Sequence, residues 1–173
     1  IDFHLRCLGK NYKFPYLIGR FANFYGVGQQ LYRVIPRLFL SCLTNKPFTL
    51  DGGGKSTRFF INSNDIISAY ESMISSSFTC EEFNFSGNEE VSISNLVDII
   101  CKISNTERSK IVKEGPDRPG KDAHYRLDCK KSKDKLNWES NISLDEGLIE
   151  VFNWINLNIK ELSLYSWKYE HKK

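Results

Sequence analysis

The chain has 173 residues, of which 40% are hydrophobic and 26% charged, and its formal net charge is +3. These values are ordinary for a soluble globular protein and fit one domain or a part of a larger one. The basic residues are spread along the chain and no apolar run is long enough to span a membrane, so we expect neither nucleic-acid nor membrane binding.

The five cysteines are few and widely spaced, at Cys7, Cys42, Cys80, Cys101 and Cys129. No CxxC pair or Cys/His cluster is present, which argues against a metal site and favours reduced thiols in a cytoplasmic protein. The chain starts without Met, and its first residues resemble the end of a helix, so we expect a piece of a longer protein.

Apolar residues at helical spacing predict a helix in residues 1–9, and the run from Tyr16 to Ile18 predicts a buried strand that leads into a loop at Asn23. The stretch YRVIPRLFLSCLTN predicts a helix that tolerates Pro36 in its first turn. DGGGKS predicts a hairpin turn before the strand TRFFINS. It lacks the GxxxxGK[ST] spacing, so we reject a nucleotide-hydrolase phosphate loop.

Further along the chain, Asp65 and Ser94 are the predicted N-caps of the helices IISAYESMISS and NLVDIICKIS. EFNFSG and KIVKE predict strands, and RLDCKKSKDKLNW predicts a short helix before Trp138. Ser143 and Glu146 form a capping-box pattern at the start of the next helix. Residues 168–173 are interpreted as a solvated tail. This alternation predicts an α/β or α+β domain.

Arginines and amides in the predicted loops indicate a ligand that carries a diphosphate and a sugar. A diphosphate needs fixed cations, and the planar fork of arginine binds two oxygens at once, which suits it better than lysine. Arg33 stands near a helix start, Arg58 follows the glycine turn, and Arg118 lies in a loop rich in proline and glycine. Asn23, Gln29 and Gln30 could bind hydroxyl groups.

Each of these residues also has a purely structural interpretation. Arg58 would then be a surface charge at a strand edge, and Arg118 a loop residue paired with the neighbouring Asp117 or Asp122. His124 would be a hydrogen-bonded surface histidine rather than a base. The residue types alone leave both interpretations open.

Four segments, in this order, resemble the C-terminal half of the extended short-chain dehydrogenase/reductase family, and most of all its dTDP-glucose type of nucleotide-sugar 4,6-dehydratases. They are RFANFYGVGQQLYRVIPR (20–37), LDGGGKSTRFFINSNDI (50–66), FNFSGNEEVSISNLV (83–97) and DRPGKDAHYRLDCKKSKDKLNWES (117–140). The chain departs from the family pattern at Val27, where the family has proline, and at Asn137, where it has glycine.

The resemblance implies an α/β fold, the C-terminal nucleotide-sugar-binding half of an extended Rossmann protein with the last strands of the Rossmann sheet. Residues 1–25 would be a remnant of the NAD-binding domain, 26–162 the substrate-binding domain and 163–173 a tail. It also implies a homodimeric parent protein that binds NAD mainly through its N-terminal half.

The resemblance further implies which residues bind the nucleotide-diphosphate sugar. Asn23 would contact both the sugar diphosphate and the cofactor, Arg58 and Arg118 would bind the diphosphate, and Tyr125 would help wall the site. The full predicted substrate site is Asn23, Leu31, Tyr32, Arg33, Thr49, Asp51, Arg58, Asp117, Arg118 and His124.

The implied reaction is oxidation of the sugar at C4, elimination of water across C5 and C6, and reduction at C6. The chain lacks the family's GxxGxxG cofactor loop and its Tyr-x-x-x-Lys pair, so we expect no catalytic residue in it and no activity from it alone. A part of a 4-epimerase or reductase and a non-catalytic nucleotide-sugar-binding module remain alternatives. A nucleic-acid-binding domain would rest only on the charge of +3.

Overall fold

A computed structural model describes residues 1–117, 119–120 and 122–169. In chain order the helices are α1 (Asp2–Tyr12), α2 (Val34–Thr44), α3 (Ser63–Ile74), α4 (Ile93–Ile103), α5 (Arg108–Ile111), α6 (Lys130–Leu136), α7 (Leu144–Leu157) and α8 (Ile159–Leu162). The strands are β1 (Leu17–Phe21), β2 (Asn23–Tyr25), β3 (Phe48–Asp51), β4 (Thr57–Asn62), β5 (Glu81–Phe85), β6 (Glu90–Ser92), β7 (Val112–Gly115) and β8 (His124–Tyr125).

Most strand pairs are parallel, as the predicted α/β class requires. β1 pairs with β5 and β3 pairs with β7, both in parallel. β4 is the central strand of a further sheet, in which β2 and β8 are its parallel neighbours and β6 its antiparallel one. The α/β prediction is therefore confirmed. The parallel pair β1–β5 joins two strands that lie more than 60 residues apart in the chain.

Two apolar clusters lie on the two faces of β4, because successive side chains of a strand point in opposite directions. Phe60 belongs to the larger cluster, where Leu38 of α2, Leu96 of α4 and Leu148 of α7 are fully buried. Ile61 belongs to the smaller cluster, which also contains Phe83, Phe85 and Trp138. The helices α2, α4 and α7 thus hold one face of β4 in place.

The caps of α3 and α4 differ from the prediction. Asn62 caps α3, since its Oδ1 accepts from the Asn64 amide at 2.9 Å, and Ser92 caps α4 by accepting from the Asn95 amide at 3.0 Å. Each cap is the last residue of a strand that passes into its helix without a loop. Asp65 is instead buried in the first turn of α3, and Ser94 accepts a bond from Arg108.

The glycines of DGGGKS do not form a hairpin. Gly52–Gly54 is a 3₁₀ turn in which all three glycines have positive φ, and it joins β3 to a strand of a different sheet. Asn23 likewise begins β2 rather than a loop. The Ser143–Glu146 capping box at the start of α7 is confirmed.

The helix α1 packs loosely against the rest of the chain. None of its residues is buried and Phe3 is 80% exposed, while ion pairs from Arg6 to Glu82 and from Asp2 to Arg20 link the helix to β5 and β1. In the described part of the chain, no helix combines the length and apolar character needed to cross a bilayer. All five cysteines are free thiols.

Candidate functional site

A cleft of about 1250 Å³ opens beside β4, and this volume is large enough for an extended ligand. Residues of β2, the start of α2, β3 and β4 contribute to its wall. The polar residues that line it are Asn23, Gln29, Tyr32, Arg33, Arg37, Thr49, Asp51, Ser56, Arg58, Ser63, Tyr70 and Tyr169.

Six residues of the predicted substrate site line this one cleft, although they come from four separate stretches of the chain. They are Asn23, Tyr32, Arg33, Thr49, Asp51 and Arg58. Parallel pairing of β2 with β4 places Asn23 opposite Phe60, two residues from Arg58. Arg118, the other arginine predicted to bind the diphosphate, lies outside the described residues.

The remaining predicted residues lie elsewhere. Leu31 packs against the larger apolar cluster. Asp117 lies against the glycine turn, where a Cβ on Gly52 would come within 2.4 Å of its Oδ1. His124 is exposed, with its Nδ1 2.7 Å from Thr57 Oγ1 and 3.6 Å from the Glu90 carboxylate. The ligand contacts expected of these three residues stay predictions.

Positive charge dominates the described lining of the cleft, where Arg33, Arg37 and Arg58 stand with a single acidic residue, Asp51. The Arg33 guanidinium lies 5.4 Å from the centre of the Tyr32 ring, and that of Arg37 lies 5.5 Å from the Phe48 ring. Sequence analysis missed Arg37. Its position four residues after Arg33 could have revealed it, because that spacing places two residues on one face of a helix.

The side-chain donors of the cleft differ in whether they already form hydrogen bonds within the chain. The Arg58 guanidinium donates to the main-chain oxygens of Thr57 at 2.6 Å and Asp122 at 2.8 Å. Gln29 donates to the Phe24 carbonyl at 2.7 Å. The side chains of Asn23 and Arg33 form no hydrogen bond with any described residue, so both have donors to offer a ligand.

Aromatic rings form much of the remaining wall. Phe21, Phe24 and Phe48 line the cleft together with Tyr70 and Tyr169. Sequence analysis assigned none of these to the site, because they come from four different elements and the segment after α8, and no regular spacing along the chain relates them. Tyr169 in particular belongs to the segment interpreted as a solvated tail, yet its ring contacts Tyr32.

A comparison of the whole sequence with models of protein families identifies the family of the chain. A family model described as GDP-mannose 4,6 dehydratase matches residues 2–151, which is most of the chain. The chain belongs to this family. The predicted kinship with nucleotide-sugar dehydratases of the extended short-chain dehydrogenase/reductase type is thereby confirmed.

Among the relatives, the dTDP-glucose 4,6-dehydratase of Haemophilus influenzae is 27% identical over 86% of this chain. The structure of the dTDP-glucose 4,6-dehydratase of Streptomyces venezuelae, with NAD and TYD bound, superimposes with a TM-score of 0.87 at 24% identity over 92% of this chain. The structure of the UDP-glucose 4-epimerase of Thermotoga maritima, with UDP-glucose, gives 0.85 at 24% identity over 91%.

The chain spans only part of these proteins. It covers 47% of the Haemophilus dehydratase, 49% of the Streptomyces chain and 51% of the Thermotoga chain, while other curated relatives are covered to as little as 22%. At 24% identity the two structures establish the fold, which dehydratases and epimerases share.

The chain itself does not hold the usual phosphate loop of a dinucleotide site. Such a loop carries three glycines between a parallel strand and a helix, and the third allows the helix to pack closely. The loop from β2 to α2 has Gly26 and Gly28, but Leu31 takes the place of the third glycine and packs into the core. The loop from β2 to α2 therefore does not fit the pyrophosphate of NAD in the way that such a phosphate loop does.

Proposed function

We propose that this chain is the nucleotide-sugar-binding part of an NAD-dependent nucleotide-sugar 4,6-dehydratase. The observation that carries the proposal is the joint presence of three guanidinium groups and an unoccupied amide in one cleft, at Arg33, Arg37, Arg58 and Asn23. Fixed guanidinium groups bind phosphate oxygens in pairs, and an amide can bind a sugar hydroxyl or a phosphate oxygen.

The arrangement of the cleft suits a diphosphate better than a single anion. Arg58 is fixed by its bonds to two carbonyl oxygens, so little entropy is lost when it meets a ligand. Arg33 and Arg37 project from the start of α2 and lie over aromatic rings. The aromatic wall offers apolar area to the sugar and the base, as nucleotide sites usually do.

The proposed reaction is an oxidation at sugar C4, an elimination of water across C5 and C6 and a reduction at C6, for which NAD would supply the redox chemistry. We propose that the cofactor is bound mainly by residues outside this chain, because the loop from β2 to α2 lacks the third glycine. Asn23 is the one residue of the chain that we place beside both cofactor and sugar. The chain would thus bind and orient the nucleotide sugar, as part of a homodimeric cytoplasmic enzyme.

A part of a nucleotide-sugar 4-epimerase is the second candidate. It is favoured by the likeness of the fold to the Thermotoga epimerase, whose TM-score of 0.85 is close to the 0.87 of the Streptomyces dehydratase. Both candidates require the same nucleotide-sugar cleft and differ only in what is done to the bound sugar.

Isothermal titration calorimetry of the chain with UDP and dTDP tests the binding function. Arg33→Ala is the test variant and Arg126→Ala the matched control. Both arginines are exposed and lie over an aromatic ring, but Arg126, 5.8 Å from Phe59, lines a separate cavity.

A charge-assisted hydrogen bond contributes about 1.5–3 kcal/mol, so Arg33→Ala should weaken binding roughly tenfold or more. Arg126→Ala should leave the Kd within about twofold, as expected for an arginine that does not line the cleft. Absence of heat at millimolar ligand, or equal losses in both variants, would contradict the proposal.

Mass spectrometry of the complete gene product, incubated with NAD and UDP-glucose or dTDP-glucose, decides between the two reactions. A dehydratase gives a product lighter by one water, whereas an epimerase gives a product of unchanged mass that separates by chromatography. Binding without any product would leave only a nucleotide-sugar-binding module.

A further inference from the structure

The segment after α8 folds back against the body of the chain. Trp167 packs against the larger apolar cluster, and its indole N–H donates to the Leu162 carbonyl at 3.3 Å. The Lys46 ammonium, which follows α2, lies 4.5 Å from the centre of the Trp167 ring. Trp167 therefore anchors this segment, and its contacts limit where the backbone can lie two residues later, at Tyr169.

Two residues beyond the anchor, Tyr169 lies in the wall of the nucleotide-sugar cleft. Its ring contacts the Tyr32 ring nearly edge-on, with 5.1 Å between centroids and an interplanar angle of 72°. The Arg33 guanidinium stands 5.4 Å from the same Tyr32 ring. We call Tyr32, Arg33 and Tyr169 the aromatic corner of the cleft.

The chemistry of the corner selects a flat, delocalised ligand group. Aromatic faces and a guanidinium plane both stack on nucleobases, and each stacked base typically contributes enough affinity to be measured by alanine substitution. A phosphate group can bind a tyrosine through its hydroxyl group, but it gains no affinity from the face of the ring. Tyr169 is 64% exposed, so a ligand entering the cleft can cover apolar area of the ring that is now accessible to water.

We propose that Tyr169 contacts the nucleobase of the bound nucleoside diphosphate and closes the cleft at the aromatic corner. The inference rests on the proposed function and extends the binding site to the C-terminal segment, which sequence analysis assigned to the solvent. The Trp167 anchor explains how a residue so late in the chain keeps a fixed place in the site.

The test compares binding of UDP, dTDP and inorganic pyrophosphate to the full 173-residue chain and its variants by calorimetry. Tyr169→Ala should weaken UDP and dTDP about tenfold, the typical loss of one stacked base, and leave pyrophosphate unchanged. Tyr169→Phe keeps the ring and should bind all three ligands like the parent. Tyr165→Ala is the matched control, since Tyr165 is 59% exposed in the same segment and does not line the cleft.

Each outcome decides between the proposals. If the parent chain binds no nucleoside diphosphate, the proposed function falls and the role of Tyr169 falls with it. If Arg33→Ala weakens UDP but Tyr169→Ala does not, only the inference about Tyr169 is overturned. Equal weakening of UDP and pyrophosphate would also overturn it, because Tyr169 would then act by shaping the cleft. If Tyr169→Ala lowers the melting temperature, Tyr169→Leu keeps the bulk without the π face and should show the same selective loss.

Discussion

Arg58 in β4 donates through Nη2 to the main-chain oxygen of Asp122, at 2.8 Å, and so joins the central strand to the segment that leads into β8. The Thr57 amide strengthens the link by donating to the Ala123 carbonyl at 2.9 Å. A side chain of the cleft therefore also holds the neighbouring segment in place. If the proposed cleft binds a diphosphate, we expect ligand binding and the order of that segment to be coupled through this guanidinium group.

Arg58→Lys should separate charge from geometry. Lysine keeps the positive charge but cannot reproduce the planar fork that binds Thr57 and Asp122 together. We expect about tenfold weaker binding of UDP or dTDP, and faster hydrogen exchange of amides near residues 122–125. Calorimetry and exchange mass spectrometry measure the two effects. Arg126→Lys is the control and should change neither; a parent-like Kd and exchange rate for Arg58→Lys would refute the coupling.

The glycine turn between β3 and β4 provides a second prediction, with its own control. Gly54 is buried at φ +64, and a Cβ there would come within 2.7 Å of the Ser94 amide nitrogen and 2.8 Å of Leu50. Gly53 has a similar φ, +63, but nothing within 4 Å of a Cβ. Gly53→Ala should cost about 1–2 kcal/mol from the backbone alone, and Gly54→Ala clearly more, because α4 or β3 must shift. Urea unfolding of both variants measures the difference, and equal losses would mean that the contact with α4 is unimportant.

Local patterns in the sequence predicted most helices and strands because those patterns depend on near neighbours. The apolar spacing of α2 and the capping box of α7 are examples. The hairpin prediction for DGGGKS failed for the opposite reason, since β3 pairs with β7, more than 60 residues away. The caps Asn62 and Ser92 were missed because each is also the last residue of a strand, and no loop marks the boundary.

Residues of the candidate site could be predicted from the sequence only within the family-like segments, which occur in a fixed order along the chain. The family-like segments pointed to Asn23, Arg33 and Arg58, and the structure places all three in one cleft. Tyr169 could not be found in this way, because its place depends on the Trp167 anchor and on Lys46, both distant contacts. Nor could sequence show that Arg58 binds a main-chain oxygen of the segment that follows Arg118.

The buried carboxylate of Asp65 is expected to stabilise the chain from inside α3. It accepts from Ser140 Oγ at 2.7 Å and from the amides of Asn141 at 3.1 Å and Ile142 at 3.2 Å, which fixes the segment before α7. Asp65→Asn replaces one acceptor oxygen by a donor, so at least one buried donor loses its partner. We expect a loss of about 2–3 kcal/mol in the free energy of unfolding.

Denaturant unfolding measures this loss, and Asp98→Asn is its control. Asp98 pairs with Arg108 at 2.7 Å, but its side chain is 57% exposed. An exposed pair contributes less than about 1 kcal/mol, so Asp98→Asn should be nearly neutral. If the two variants lose equal stability, the buried network at Asp65 is not what holds the segment.

Acid should weaken the attachment of α1 through Glu82. The guanidinium groups of Arg20 and, to a smaller extent, Arg6 hold the pKa of the Glu82 carboxyl below its ordinary value. A depressed pKa in the folded state means that the unfolded chain takes up the proton first. The stabilisation is therefore complete above the ordinary glutamate pKa of about 4.3 and is lost as the pH falls through the lower folded value.

The parent should lose stability between pH 5 and pH 3, as other paired carboxylates also titrate there, and Glu82→Gln should lose less over the same range. Thermal unfolding at a series of pH values measures both slopes, and identical slopes would show that Glu82 does not link α1 to β5 in solution.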